Sequence, residues 1–280
     1  MKSKTKHILQ KLLVNDFAYR LSRPFLFIAK RIEASRANYL NEPSNKVLKA
    51  SAEKIFVKKI VCNGPFKGLK FDMEATSTGS TYAMLLGSFE SEIHPYIDDA
   101  KNKNYEMVVN IGCADGYYAV GLAKMLPLVR VFAYDTDRQA LLAAQRVAQQ
   151  NEVHKRITFL GTFTATTLNE IDDEKRALFI VDCEGAEREI FRRENVHRLV
   201  HADLIIEMHI NIYPELADYF TALFESTHHI TIVDSVDDHI KARSYLFPEI
   251  AGLDYQLRRF ITEERAIFMQ WIVLSAKNPN

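Results

Sequence analysis

The sequence has few residues that interrupt regular structure and none of the long apolar runs that cross membranes. Its 280 residues include 10 glycines and 8 prolines, which excludes collagen-like and low-complexity chains and indicates that helices and strands dominate. The longest uninterrupted apolar runs, such as 25–29, are far shorter than the roughly 20 residues that a membrane-spanning helix needs. We therefore expect no transmembrane helix.

Cysteine is scarce as well. Cys62, Cys113 and Cys183 lie far apart in the sequence, and no two of them have CxxC spacing. Three isolated cysteines support neither a disulfide framework nor a structural zinc site. The sequence therefore favours a reducing compartment, and we expect a cytoplasmic protein.

The formal net charge is zero, but its two signs are separated along the chain. Residues 1–60 hold 14 Lys and Arg against 4 Asp and Glu, and the rest carries the opposite excess. Apolar residues at 6–23 and 25–39 are spaced with helical periodicity between the basic ones. This basic helical extension, 1–59, is interpreted as an arm that packs on its own domain or on a second copy in a homodimer. The alternative is that residues 1–40 contact anionic lipid at the inner membrane face.

From residue 101 onward, short apolar strands alternate with helices. Such alternation predicts a parallel sheet with helices on both faces, a Rossmann-like doubly wound α/β fold. We assign the domain to 60–280, with a β-rich lead-in at 60–100, a core at 101–280 and an insertion near the site at 236–262. The seven predicted strands are 107–111, 131–134, 157–160, 178–182, 204–209, 230–233 and 267–274.

The end of the first predicted strand carries a glycine-flanked turn. Ligands of open α/β sheets bind beyond the carboxyl ends of the strands, where Gly112 and Gly116 allow a tight turn into a helix. Asp135 ends the second strand and can accept both hydroxyl hydrogens of a ribose. A dinucleotide fingerprint would need glycine at Ala114 and Tyr117, so a nicotinamide oxidoreductase is disfavoured. The pattern favours S-adenosylmethionine, which has no diphosphate to bind.

Acidic residues follow the fourth and fifth predicted strands. Asp182, Glu184 and Glu187 lie within six residues, and we expect Glu184 and Glu187 one turn apart on the next helix. Acids also favour the first turn of any helix, which is the structural alternative. Glu207 and His209 end the fifth strand, where the imidazole is a candidate proton acceptor beside Asp182.

These segments resemble one family. The hallmark is Asp-Cys-Glu-Gly-Ala-Glu at 182–187, which is similar to the Asp-x-Glu-Gly-Ala-Glu element of FkbM-type S-adenosylmethionine-dependent methyltransferases. The likeness covers about residues 60–210. It departs from the family at Asn110, where Asp is usual, and at 135–136, where Glu-Pro is usual. The other similar runs are Gly-Ser-Phe-Glu at 87–90, Asn-Ile-Gly-Cys-Ala-Asp-Gly at 110–116, Tyr-Asp at 134–135 and Ile-Glu-Met-His at 206–209.

The resemblance implies a seven-stranded methyltransferase sheet and an O-methyltransferase that acts on a small molecule or on a sugar, glycan or glycolipid hydroxyl. It assigns catalysis to Asp182, Glu184 and His209. S-adenosylmethionine would be the cofactor, and we expect no nucleic-acid partner. The cofactor-binding residues that it implies are Glu90, Asn110, Gly112, Cys113, Ala114, Asp115, Gly116, Tyr117, Asp135, Thr136, Thr162, Phe163 and Asp182.

Two further possibilities stay open at the level of sequence. The acids of the fourth strand could hold a divalent metal ion, although no spacing specifies one. The alternative function is a non-catalytic S-adenosylmethionine-binding module in a membrane-associated assembly.

Overall fold

The computed structural model describes residues 45–71, 80–265 and 267–278. By its contacts the chain divides into Met1–Ser51 and Ala52–Asn280, and the sheet and the site belong to the second unit. The predicted helices at 6–23 and 25–39 lie outside the described residues. Within the described part of the chain, no helix is long and apolar enough to cross a bilayer.

One sheet of seven strands forms the centre of the domain. The strands are β1 (Met107–Ile111), β2 (Arg130–Tyr134), β3 (Ile157–Leu160), β4 (Ala177–Val181), β5 (Asp203–Met208), β6 (His228–Asp234) and β7 (Gln270–Ala276). Their order is β3-β2-β1-β4-β5-β7-β6. The first five are parallel, and β7 is antiparallel to both of its neighbours. This arrangement confirms the predicted seven-stranded, doubly wound α/β sheet.

Helices cover the sheet on both faces. The strands β1, β4 and β5 are buried along their whole length, as parallel strands between two helical layers must be. The helices are α1 (45–55), α2 (Thr81–Leu86), α3 (His94–Asp99), α4 (Tyr117–Met125), α5 (Arg138–Gln150), α6 (Ala165–Asn169), α7 (Glu187–Ile190), α8 (Leu216–Phe224), α9 (Asp238–Ser244) and α10 (Tyr255–Thr262). Short 3₁₀ turns lie at Ser91–Ile93, Ala100–Asn102, His154–Arg156, Val196–Leu199 and Pro248–Ile250.

The helix α5 shows how local sequence determines these elements. Asp137 precedes it and accepts a hydrogen bond from the backbone N–H of Gln139, which caps the helix N-terminus. Its buried positions recur at three- and four-residue spacing, which places them on one face toward the sheet. These buried residues are Ala140, Ala143, Ala144, Val147 and Ala148.

Two predictions of the fold were wrong in detail. The lead-in at 60–100 is not β-rich: its described residues form one antiparallel bridge, between Ile60 and Lys70, and then mainly helices. The segment 236–262, predicted as an insertion near the site, forms α9 and α10. The last strand is antiparallel rather than parallel, because pairing direction is not encoded in the periodicity of a single strand.

Candidate active site

The turn after β1 packs directly against the end of β4. Gly112 has φ +76°, and a Cβ atom there would lie 1.5 Å from the carbonyl oxygen of Asp182. Only glycine permits this approach. The backbone N–H groups of Gly112 and Cys113 both donate to the Tyr134 carbonyl oxygen at 2.9 Å. The ends of β1, β2 and β4 are therefore held together at one rim of the sheet.

Asp135 is fixed by this turn. Its Oδ2 accepts a hydrogen bond from the Ala114 backbone N–H at 2.8 Å, and its Oδ1 accepts from the Asp137 N–H at 2.7 Å. A carboxylate offers about four acceptor positions, so both oxygens can still accept from a ligand. The carboxylate is thus oriented before any ligand binds.

A cavity of about 290 Å³ opens in front of Asp135, and we call it the Asp135 cavity. It contains seven of the thirteen predicted cofactor residues: Gly112, Ala114, Asp135, Thr136, Thr162, Phe163 and Asp182. The remaining lining residues are Ile111, Tyr134, Asp137, Ala140, Cys183, Glu184, Ala186 and Ile190. None of these lining residues is Lys or Arg, so the cavity is acidic and has no cation for a diphosphate.

The other six predicted cofactor residues do not line the Asp135 cavity. Asn110 is 1% exposed, and its side-chain amide donates to the Ile180 carbonyl oxygen. Cys113, Asp115, Gly116 and Tyr117 are buried in the turn behind the cavity, and Glu90 lines a second cavity. Contact of these six with a cofactor stays a prediction.

The second cavity, which we call the His209 cavity, also measures about 290 Å³. Asp182 and Glu184 line both cavities, so the end of β4 forms their common wall. His209 lines only the second cavity. The structure therefore brings the three predicted catalytic residues together. The His209 cavity is lined by Ser80, Met84, Phe89, Glu90, Asp182, Glu184, Glu207, His209, Asn211, Glu264, Arg265, Ile267 and Met269.

His209 lies among three carboxylates. Its Nδ1 contacts Glu187 Oε1 at 2.7 Å, whereas its Nε2 lies 3.4 Å from Glu184 Oε2 and 3.7 Å from Asp182 Oδ1. The side chains of His209 and Glu187 are buried, but that of Glu184 is 87% exposed. Glu187 therefore holds the ring through Nδ1, which leaves Nε2 on the side of Asp182 and Glu184.

Burial and charge shift the pKa values of these groups in opposite directions. Burial alone would lower the pKa of His209, but hydrogen bonds to Glu184 and Glu187 outweigh it and raise that pKa to about 10. Burial, together with the nearby Glu207, raises the pKa of Asp182 well above its usual range. The imidazole is therefore positively charged at neutral pH, and the Asp182 carboxyl is the more basic of the acids beside it.

The expectation that Glu184 lies on a helix is wrong. Glu184 has φ +55°, and α7 begins only at Glu187. Gly185 follows with φ +100°, so the chain makes an additional turn before the helix. Two other predicted site residues, Glu90 and Ala114, also have positive φ values of 49° and 42°. Such strain is typical of functional sites, where the surrounding structure holds it in place.

The sequence did not indicate the role of Arg265. This residue follows α10, and its guanidinium donates to Glu207 Oε1 at 2.6 Å and to Glu90 Oε1 at 3.0 Å. Beside it, Lys241 of α9 is fully buried and donates to Glu264 Oε2 at 2.5 Å. Residues between β6 and β7 therefore supply the cations that neutralise the acids of the His209 cavity.

A larger groove, of about 780 Å³, extends from the amino ends of β1 and β2. It holds none of the predicted site residues, although Tyr134 lines both the groove and the Asp135 cavity. Since ligands of open α/β sheets bind at the carboxyl ends, the two smaller cavities are the better candidate site.

Comparisons with known proteins bear on the fold of this chain. The sequence model of the family described as ribosomal protein L11 methyltransferase (PrmA) matches residues 78–181. The match includes the turn after β1, Asp135 and the Thr162–Phe163 pair, and it ends one residue before Asp182. A comparison with curated protein sequences finds no match.

Two solved structures illustrate the structural likeness. The O-methyltransferase TomG from Streptomyces achromogenes, in complex with SAM, is 13% identical over 73% of this chain and 91% of its own, with a TM-score of 0.47. An rRNA methylase from Streptococcus thermophilus is 13% identical over 66% of this chain and 96% of its own, with a TM-score of 0.45. Likeness at this level does not bear on the acceptor. The strand order and the matched region agree that this chain has the Rossmann-like fold of S-adenosylmethionine-dependent methyltransferases.

Proposed function

We propose that this protein is an S-adenosylmethionine-dependent O-methyltransferase that acts on a hydroxyl of a sugar, glycan or glycolipid. The observation that carries the proposal is the wall shared by the two cavities. A cofactor beside Asp135 would face an acceptor beside His209 across Asp182 and Glu184. Methyl transfer needs a donor and an acceptor held close together and in line, and two adjacent cavities could hold them so.

The chemistry of the Asp135 cavity fits this cofactor. Its acids, among them Asp135 and Asp182, favour a ligand with positive charge, and its lack of Lys and Arg disfavours a diphosphate. Asp135 would accept hydrogen bonds from the ribose hydroxyls. Phe163, packed edge-on against Tyr134 with ring centroids 4.8 Å apart, would bound the adenine. When bound, S-adenosylmethionine supplies an electrophilic methyl group on a sulfonium.

The residues of the His209 cavity would position the acceptor and take its proton. Because His209 is protonated below about pH 10, its Nε2 donates a hydrogen bond to the acceptor oxygen rather than removing its proton. Asp182 is better matched to that step, since its raised pKa makes it a stronger base than an ordinary carboxylate. Glu184 lies at the exposed mouth and can pass the proton to solvent.

The test separates cofactor binding from catalysis. Calorimetry with S-adenosylhomocysteine and with NAD should detect binding of the first only. Labelled S-adenosylmethionine should then transfer its methyl group to a member of a panel of sugars, glycans and glycolipids. Binding of S-adenosylhomocysteine without transfer to any acceptor would instead support a non-catalytic module in a membrane-associated assembly.

The variant His209→Gln gives the sharpest comparison, because His209 lines only the second cavity. Turnover should fall by about 100-fold or more, whereas the affinity for S-adenosylhomocysteine should change less than about twofold. Glu170→Gln removes an exposed carboxylate of the larger groove and should alter neither quantity. Wild-type turnover in His209→Gln would contradict the assigned role.

We also propose that residues 1–40 contact anionic membrane at the cytoplasmic side. The support is the excess of Lys and Arg in this part of the sequence, since each basic residue near an anionic surface contributes about 1 kcal/mol. Deleting 1–40 should weaken binding to phosphatidylglycerol vesicles at low salt and leave binding to phosphatidylcholine vesicles unchanged. If the full-length chain binds neither kind of vesicle, the membrane proposal is rejected, and the basic segment packs on its own domain or on a second copy.

A further inference from the structure

The His209 cavity is lined by more acidic than basic side chains. Five carboxylates line it, whereas its cationic side chains are Arg265 and His209. Arg265 is already engaged by Glu90 and Glu207. Lys241, which does not line the cavity, is paired with Glu264. The five carboxylates are Glu90, Asp182, Glu184, Glu207 and Glu264.

Asp182 shares its cationic partner with other acids. Among the described residues its ion-pair partner is His209, at 3.7 Å, and that imidazole is shared with two other carboxylates. Its Oδ1 is buried and has no hydrogen-bond partner in the part of the chain that the structure describes. An unpaired buried carboxylate oxygen is costly, so a ligand that it could bind would be stabilising.

The atoms around Asp182 have the arrangement of a metal site. Asp182, Glu207 and His209 each offer one ligand atom, and the three atoms lie within 4.8 Å of one another. Ligand atoms about 2.1 Å from one ion lie roughly 3–4 Å apart, so only a small closure is needed. Glu187 contacts the opposite ring nitrogen of His209 at 2.7 Å, as the outer carboxylate of many metal-bound histidines does.

We propose that Asp182, Glu207 and His209 bind a divalent transition-metal cation of the Mn²⁺, Fe²⁺ or Zn²⁺ type. The imidazole ligand disfavours Ca²⁺, which binds oxygen almost alone. Cation binding itself does not depend on the proposed methyl transfer, but its role does. In that reaction the cation would take the place of the His209 proton, hold the acceptor oxygen and lower the pKa of its hydroxyl. Asp182 would then act as a ligand rather than as the base, and the proton would pass to Glu184.

The first experiment measures binding of Mn²⁺ to the full-length protein by calorimetry and by the electron paramagnetic resonance of free Mn²⁺. One ion per chain should bind, and binding should release protons because the cation replaces the proton on His209 Nε2. Asp182→Asn should weaken Mn²⁺ affinity by at least tenfold. The control Glu170→Gln should bind Mn²⁺ as the wild type does.

Glu187→Gln tests the geometry without removing a ligand. A neutral glutamine removes the carboxylate charge that strengthens the imidazole as a ligand, so Mn²⁺ affinity should fall by about 10- to 100-fold. Circular dichroism and urea denaturation, measured on the same samples, report whether each variant is folded. A folded Asp182→Asn or Glu187→Gln variant with wild-type Mn²⁺ affinity would overturn the proposal.

The outcomes distinguish the metal site from the proposed reaction. Binding of S-adenosylhomocysteine without Mn²⁺ binding rejects the cation and leaves the methyltransferase proposal standing. Binding of Mn²⁺ without binding of S-adenosylhomocysteine supports the cation site and rejects the methyltransferase proposal. If Mn²⁺ fails but glucosamine binds in an Asp182-dependent way, the surplus charge serves a cationic acceptor, and the metal proposal is overturned.

Discussion

Replacing Asp135 with alanine tests the cofactor assignment most directly. The structure gives the carboxylate two backbone partners, the N–H groups of Ala114 and Asp137, and leaves further acceptor positions toward the cavity. Two charge-assisted hydrogen bonds to a ribose contribute about 1.5–3 kcal/mol each. Even at the lower value, loss of both hydrogen bonds corresponds to about a 100-fold loss of S-adenosylhomocysteine affinity. Water can partly replace the carboxylate, so the expected loss is at least about tenfold.

The assay is calorimetric titration of Asp135→Ala with S-adenosylhomocysteine, together with urea denaturation of the same sample. Loss of the two backbone contacts should lower the free energy of unfolding by about 1–2 kcal/mol, so the protein should remain folded. Asp172→Ala removes an exposed carboxylate that pairs with Lys175 and serves as the matched control. Affinity within threefold of the wild type in a folded Asp135→Ala variant would refute the assignment.

Three further results are expected. Gly112→Ala should lower the free energy of unfolding in urea by at least about 3 kcal/mol, because its Cβ would overlap the Asp182 carbonyl oxygen. Wild-type stability in this variant would contradict the close contact between the turn and β4. Lys241→Met should cost about 3–5 kcal/mol, because it leaves the buried Glu264 without its cation, and adding Glu264→Gln should recover part of the loss in the same assay. The folded state binds the His209 proton more tightly than the unfolded chain does, since the pKa rises from 6.5 to about 10. This stabilisation is complete below pH 6.5 and is lost as pH rises to about 10. The free energy of unfolding of the wild type should therefore fall over this range relative to that of His209→Gln. Equal pH dependence of the two proteins would contradict the raised pKa.

Strand positions were predictable because they depend on local pattern. Every predicted strand overlaps an observed one. The helix α5, which covers Arg138–Gln150, begins directly after its cap Asp137. Apolar runs with polar ends and a capping residue are visible in the sequence itself. Asp135 and the acids after β4 could be identified as site residues because ligands of open α/β sheets bind at the carboxyl ends of the strands.

The rest of the site depends on contacts between distant segments. Arg265 has no sequence pattern around it, and its importance comes from meeting Glu90, 175 residues earlier in the chain. The positive φ of Glu184 occurs two residues after Asp182, whose carbonyl oxygen packs against Gly112. Neither feature can be derived from periodicity, since each is determined by tertiary packing.

The position of β7 has a consequence for the order in which the molecule can assemble. This strand follows all the others in sequence, yet it lies between β5 and β6 and pairs with both. While β7 is unpaired, β5 and β6 cannot be joined in one sheet, and Arg265, five residues before β7, is not held over Glu90 and Glu207. The contact of Arg265 with Glu90 spans 175 residues, and contacts of such large sequence separation form late. During synthesis, the parallel half of the sheet with the Asp135 cavity can therefore form well before the His209 cavity is complete.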